Sequence, residues 1–352
     1  MKTIVHEIPY SPASNLDEEI FTASSVFFDI ETTGFSPAHT SLYLIGCAYH
    51  IEQMLYIKQY FAETPEEEKE VLEQFLLLLD GFDTIITFNG IGFDIPYLKA
   101  KCNTYECNEH FADFTYVDIF KSISQIKHIL QLPNYKQKTI EAFLGIGRND
   151  LYSGGELIEI YHSYTKEPRP DKLEILLLHN YEDVLDMPAL LPVLSYVHLF
   201  YGQYLSCSAS VSEYTDYKQQ EKKELILSIE PEFPFPKHIS CRMGSVYFYA
   251  KGKKCTLSVR LEEDALKYFF PNYKDYYYLP AEDTAMHKSV ASYVDKEHRR
   301  QATAAIPGMK EAFFHSTKSL FLLLLNTTIR KKYLTLNLRK NFFHRRSLSK
   351  VM

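Results

Sequence analysis

The chain has 352 residues, 46% hydrophobic and 24% charged, which is enough apolar material for a sizeable core and most simply for two structural units rather than a disordered chain. Its net charge of -7 argues against a protein that merely coats nucleic acid, because phosphate binding relies on an excess of Lys and Arg, but it leaves room for an enzyme whose acids are covered by metal ions. The first twenty residues lack a basic start followed by an apolar run, no later apolar stretch approaches ~18 residues, and six scattered cysteines suit a reducing compartment; a soluble cytoplasmic protein with no membrane partner is therefore expected.

In chain order, "SVFFDIE", "LYLIGCAYH" and "QMLYIKQYF" are rich in aromatic and β-branched residues and read as three strands of a meander. "TPEEEKEVLEQFLLLLDGF" follows as a helix, with Thr64 as a candidate N-cap, Pro65 at the first helical position, acids in the first turn and Gly81 at the far end. "DTIITF" is a short strand running into "NGIGFDIPYLKAKC", where Pro96 can open a helix just after Asp94. "YVDIF" reads as another strand, and "KTIEAFLGI" and "GGELIEIYHSY" as short helices. In "DKLEILLLHNYEDVLDMPALLPVL", Asp171 and Glu174 have capping-box spacing and an apolar stripe runs through Leu173, Leu176, Leu177 and Val184. Strands first and helices interleaved later predict a mixed α/β layer structure over residues 22–200.

Past Tyr204 the polar run "SCSASVSEYTDYKQQEKKE" reads as a linker or loop. A small β-rich accessory region is expected over 224–305, with "RMGSVYFYAKGKKCTLSVRL" as a hairpin turning at "KGKK". From Ile306 to Met352 there are ten Lys or Arg against one acid, Glu311. This tail is either a basic arm contacting phosphates or a segment foreign to the domain, such as one read from a shifted frame; the second is favoured because "HKSVASYVDKEHRRQATAA" before it resembles relatives of the chain and the text after it does not. Cys102, Cys107 and His110 are loosely spaced and lack an obvious fourth ligand, so ordinary residues are the simpler reading than a metal site.

The chemistry points elsewhere. Residues two apart in a strand face one side, so Asp29 and Glu31 project together while Phe28 and Ile30 enter the core. Two such carboxylates repel, and burial worsens the repulsion. Asp94 follows the next central strand, where a side chain can stand at the same edge of the sheet. Asp183 lies four residues beyond His179 in the last helix, on the same face. Each residue alone has a bland account: a strand end, a helix cap, a solvated acidic face shared with Glu182 and Asp186. Together they form a set suited to two Mg²⁺ or Mn²⁺ ions about 4 Å apart, acting on a phosphodiester.

"FFDIETTG", "ITFNGIGFDIPYL" and "HNYEDV", in this order, resemble the three motifs of the DnaQ-like DEDD superfamily of 3′ to 5′ exonucleases, and more nearly its bacterial YprB-like branch, over about residues 22–200. The resemblance implies an RNase H-like α/β fold, with Asp29, Glu31, Asp94 and Asp183 as ligands of two divalent ions and Thr32 and Asn89 as contacts to the terminal nucleotide of single-stranded DNA or RNA. Superfamily members carry a tyrosine four residues before the last aspartate or a histidine five before it; here a histidine stands at the four-residue spacing. Tyr181, two residues before Asp183, would point elsewhere, which makes His179 the candidate for taking the proton of the attacking water. The alternative is a nucleic-acid-binding module that keeps the fold without turnover; loss of a motif acid would favour it, and none is lost.

Overall fold

The structure, a computed structural model, describes residues 1–268, 270–305 and 309–315. The chain divides into two units. The first takes in Met1–Leu199 with Pro231–Ile239 and Ala250–Lys254; the second takes in Phe200–Glu230, Ser240–Tyr249 and the chain from Cys255.

The first unit is built on the predicted meander. β1 (Lys2–Pro9) is followed by α1 (Asn15–Ile20), β2 (Ser25–Thr32), β3 (Leu42–Ile51), β4 (Met54–Phe61), α2 (Glu68–Leu79), β5 (Thr84–Thr87), α3 (Asp94–Tyr105) and β6 (Thr115–Asp118). The sheet has the order β1-β4-β3-β2-β5-β6. β1, β4, β3 and β2 pair antiparallel, and β2, β5 and β6 pair parallel. β2 is central and covered on both faces: Val26, Phe27, Phe28 and Ile30 are all buried, and Phe28 packs on Phe75 of α2 with ring centroids 5.0 Å apart. Short helices α4 (Ile119–Ser124), α5 (Lys127–Leu130) and α6 (Gln137–Leu144) then lead to α7 (Gly154–Lys166), α8 (Pro170–Leu190) and α9 (Leu194–Phe200).

Strand β1 was not among the expected elements. It is an edge strand whose residues are mostly exposed, so burial imposes little alternation on its sequence. The expected capping box of α8 also does not form. Pro170 takes the first helical position, and Asp171 pairs with Arg169 at 2.8 Å instead. By length and composition the segment Pro170–Phe200 is apolar enough to cross a membrane, contrary to the expectation that no such stretch exists; in the fold it is a core helix, with 61% of its most apolar window buried.

After α9 the chain forms β7 (Tyr204–Thr215), β8 (Glu221–Pro231), β9 (Phe235–Met243), β10 (Val246–Gly252) and β11 (Lys254–Tyr268), in the order β7-β8-β11-β10-β9; apart from Pro231–Ile239 and Ala250–Lys254 these residues belong to the second unit. Alternate residues Val246 and Phe248 of β10, and Leu257, Val259 and Leu261 of β11, are buried. The run read as a linker is therefore a correction: it forms the β7–β8 hairpin. No residue of β7 is fully buried, so the hydrophobic pattern that marks a strand is missing, and the turn is made by Asp216, whose carboxylate accepts from the amides of Lys218 and Gln220. A smaller sheet joins β12 (Tyr276–Leu279), β13 (Thr284–His287) and β14 (Arg300–Gln301), with α10 (Lys288–Ala291) between the last two. β15 (Met309–His315) pairs antiparallel with the end of β11. The rest of the basic tail, 306–308 and 316–352, lies outside the described residues.

Candidate active site

The two acids of β2 stand where the strand is about to leave the sheet: the pairing with β3 shifts register between Glu31 and Thr32. Asp29 lies opposite Gly46 of β3. That glycine is required by close approach, because a methyl group there would overlap the side-chain amide of Asn180 on α8. Asn180 is fully buried; its oxygen accepts from Gln59 Nε2 at 3.0 Å and its Nδ2 donates to Asp29 Oδ2 at 3.3 Å. The helix carrying the last motif is thus seated on the strand carrying the first.

From α3, Asp94 joins the same edge, accepting the Ile30 amide at 3.2 Å. On α8, His179 and Asp183 share a face. His179 Nε2 lies 3.3 Å from Asp183 Oδ2 and 3.6 Å from Glu31 Oε1. Tyr181 points away and packs its ring on His6, centroids 4.7 Å apart. Thr32 is next to Glu31, with its hydroxyl donating to Gly34 O at 2.9 Å. Asn89 is held in the left-handed region, φ +69°, with its amide donating to Asp118 Oδ1 at 3.1 Å, and its exposed side chain lines an open cleft.

Burial and mutual repulsion govern the electrostatics. Burial, then the charges of Asp183, Asp94 and Glu31, push Asp29 well above the usual carboxylate range. Burial, followed by Asp183, Asp94 and Asp150, does the same to Glu31. Burial pushes Asp94 up to about 7, against hydrogen bonds that favour its charge. Asp183 and Asp94 thus act on both acids of β2.

Sequence reasoning missed a supporting group in the loop after α6. Asp150 Oδ2 lies 2.7 Å from His179 Nδ1 and accepts from Lys138 Nζ at 2.7 Å. Burial works against its charge, but hydrogen bonds from Lys138, the Tyr152 amide and His179 hold Asp150 below the usual range. Arg148 Nη1 donates to Asp183 Oδ1 at 2.6 Å and to Glu141 Oε1 at 3.0 Å. It engages the Asp183 oxygen opposite the one facing His179. Glu182, read from sequence as part of a solvated acidic face, is buried and accepts the amides of Asn149 and Asp150. The only signal for this loop is the charged triplet "RND" after a helix-ending glycine, and its partners are about thirty residues away in α8.

Ligand atoms of Glu31, His179 and Asp183 lie within 4.8 Å of one another. With Asp29 and Asp94 beside them, the donor set is oxygen-rich and short of countercharge, which fits a hard divalent cation such as Mg²⁺ or Mn²⁺. Cys102, Cys107 and His110 do not form such a group among the described residues: Cys102 is buried in α3 and His110 pairs with Asp80 at 3.4 Å.

Comparison with known proteins bears on the fold. No curated protein matches the chain. Among solved structures it is similar to the family B DNA polymerase of Pyrobaculum calidifontis, at 19% identity over 50% of this chain and 25% of that one, with a TM-score of 0.38. It is also similar to E. coli exonuclease I in a zinc-bound complex with single-stranded DNA, at 11% identity over 60% of this chain and 55% of that one, TM-score 0.30, and to the same enzyme with a dA16 oligonucleotide, at 10% identity over 60% and 56%, TM-score 0.29. The chain spans between a quarter and just over half of the length of these proteins. A family model described as RNase_H superfamily matches residues 26–195, and the α/β unit that carries the acidic site has an RNase H-like fold.

Proposed function

We propose that the protein is a divalent-metal-dependent nuclease of the DEDD type, a 3′ to 5′ exonuclease on single-stranded DNA or RNA ends, of the YprB-like branch and acting in the cytoplasm. One observation carries this reading: Asp29 and Glu31 of β2, Asp94 of α3 and Asp183 of α8 lie at one sheet edge with His179 among them. In it, the four carboxylates would hold two Mg²⁺ or Mn²⁺ ions. When bound, such ions activate water and neutralise charge on the leaving oxygen. His179 Nε2 takes the proton of the attacking water while Asp150, on Nδ1, fixes the tautomer and the ring plane. The bond from phosphorus to the 3′-oxygen of the preceding nucleotide breaks as the water oxygen bonds to phosphorus, releasing a 5′-mononucleotide, and the departing oxygen takes a proton from solvent to leave a 3′-hydroxyl on the shortened strand. In this reading Thr32 and Asn89 contact that terminal nucleotide.

The test is 5′-labelled single-stranded DNA and RNA incubated with Mg²⁺, Mn²⁺ or EDTA. The expected result is a ladder shortening from the 3′ end, absent in EDTA and in Asp29→Ala or Asp183→Ala. His179→Ala should slow single-turnover cleavage by roughly 10²- to 10⁴-fold, and His179→Tyr should retain more activity than alanine. Turnover that persists in Asp29→Ala, or is absent with both metals, would overturn the reading; an alanine variant at 179 as fast as wild type would remove the histidine from it.

A further inference from the structure

Beside the acids, Phe88, Asn89, Phe120, Lys127, Tyr135 and Lys136 line an open cleft of about 570 Å³. Its wall is aromatic. Phe88 and Phe120 have ring centroids 6.0 Å apart, and Lys127 Nζ lies 4.9 Å from the centroids of both Phe120 and Tyr135. Tyr135 is fixed by its hydroxyl, which donates to Lys127 O at 2.8 Å. The rings of Phe88, Phe120 and Tyr135 are only partly buried, and Lys127 and Lys136 are exposed. A cluster serving only as core would be closed. No acid lines the cleft, and neither lysine is ion-paired among the described residues, although the chain carries a net charge of -7. The cleft is tied to the acidic site at Gln137, whose Nε2 donates to Asp183 O at 2.8 Å.

We infer that this cleft is the track for the single strand immediately upstream of the scissile bond: unpaired bases stack on the Phe88–Phe120–Tyr135 wall while Lys127 and Lys136 contact their phosphates. The inference rests on the nuclease reading and adds to it the residues that hold the strand, and with them the requirement for several unpaired nucleotides upstream of the one removed. Every base has a π-face, so stacking accepts any sequence, but only a base free of its partner can reach a ring set into a wall. Lys127, held by cation–π attraction between two rings, keeps a positive charge where a backbone phosphate would pass.

The full chain carrying Asp29→Ala binds without turnover, so fluorescence anisotropy with fluorescein-labelled oligo(dT) and oligo(U), over a series of salt concentrations, measures binding separately from cleavage. Adding Lys127→Ala and Lys136→Ala, both exposed and so without consequence for folding, should weaken binding and flatten the slope of log K against log salt by about 0.7 for each phosphate no longer neutralised. Adding Phe120→Ala instead should weaken binding roughly 5- to 150-fold, the usual range for removal of a stacking partner, with an unchanged slope. A blunt hairpin duplex should bind more weakly than either single strand. Unchanged affinity and slope in every cleft variant, or no binding by any form, would overturn the track. Wild-type hydrolysis is scored separately: if it occurs while the cleft variants bind like their parent, the strand runs elsewhere and the nuclease reading stands. If binding depends on the cleft but wild type never cleaves, the nuclease reading falls and the binding site remains.

Discussion

The acids at the end of β2 are costly to keep charged in the metal-free protein, and that cost sets a pH dependence with a definite sign. A carboxyl whose pKa is raised in the folded state costs nothing below its unfolded value, near 3.9 for aspartate. The penalty grows as pH rises towards the folded value and is constant above it. For Asp94 that window ends at about 7, and the values of Asp29 and Glu31 are raised in the same direction. In EDTA, the contribution of this cluster should therefore raise the melting temperature as pH is lowered from 8 towards 5, by an amount on the order of a few kcal/mol in stability. Asp29→Asn should flatten the trend by removing one charge from the cluster. Saturating Mn²⁺ should reverse it, since a cation that binds only the charged, folded site stabilises more as protons leave. Scanning fluorimetry across pH, with and without metal, checks the sign; an EDTA profile of Asp29→Asn identical to that of wild type would show that the acids do not feel one another.

At the scale of the element, the site depends on how α8 sits on β2 and β3. Asn180 fills the space over Gly46 and reaches Asp29, so Gly46→Ala should overpack the contact at a cost of about 1–3 kcal/mol and displace α8 from the acids, lowering both melting temperature and metal affinity. Asn180→Ala opens that space, so Gly46→Ala added to Asn180→Ala should cost much less than Gly46→Ala alone; additive losses would mean that the two residues are not in contact. This seating explains what could be read in advance. Asp29, Glu31, Asp94, His179 and Asp183 each carry a local signal, a strand end or a helical i, i+4 spacing, and the strands β2 to β6 announce themselves through their own apolar residues. Arg148 and Asp150 carry only the "RND" triplet, and Glu182 nothing that sets it apart from its acidic neighbours. Their roles exist only once the loop after α6 folds over α8, and a buried ion pair between residues about thirty positions apart leaves no periodicity behind. The β7–β8 hairpin escaped for a related reason: no residue of β7 is buried, so that strand has no hydrophobic alternation to show.

At the scale of the whole molecule, the RNase H-like unit is not a contiguous stretch of chain. Its last helix, α9, presents Tyr196, which is fully buried, stacks on Phe235 with ring centroids 4.9 Å apart, and donates its hydroxyl to Lys237 O at 2.5 Å. Phe235 and Lys237 arrive from β9, more than thirty residues later, within the segment Pro231–Ile239 that belongs to the first unit. A chain ending at Phe200 would keep every motif acid and still lose this cover. It would leave an aromatic face in water, and with each buried aromatic contributing on the order of 150–250 Å² of apolar surface at about 25 cal/mol per Å², the loss amounts to several kcal/mol, comparable with the whole stability of a small domain. A chain ending at Ala305 retains Phe235 and Lys237 and should keep the melting temperature of the RNase H-like unit and whatever Mn²⁺-dependent cleavage the full chain shows. The measurement is a pair of melts with and without Mn²⁺, alongside the 3′-end assay: the shorter chain should melt at lower temperature or aggregate, and the longer one should behave as the full chain does. Equal stability of the chain ending at Phe200 would show that Tyr196 needs no partner from β9.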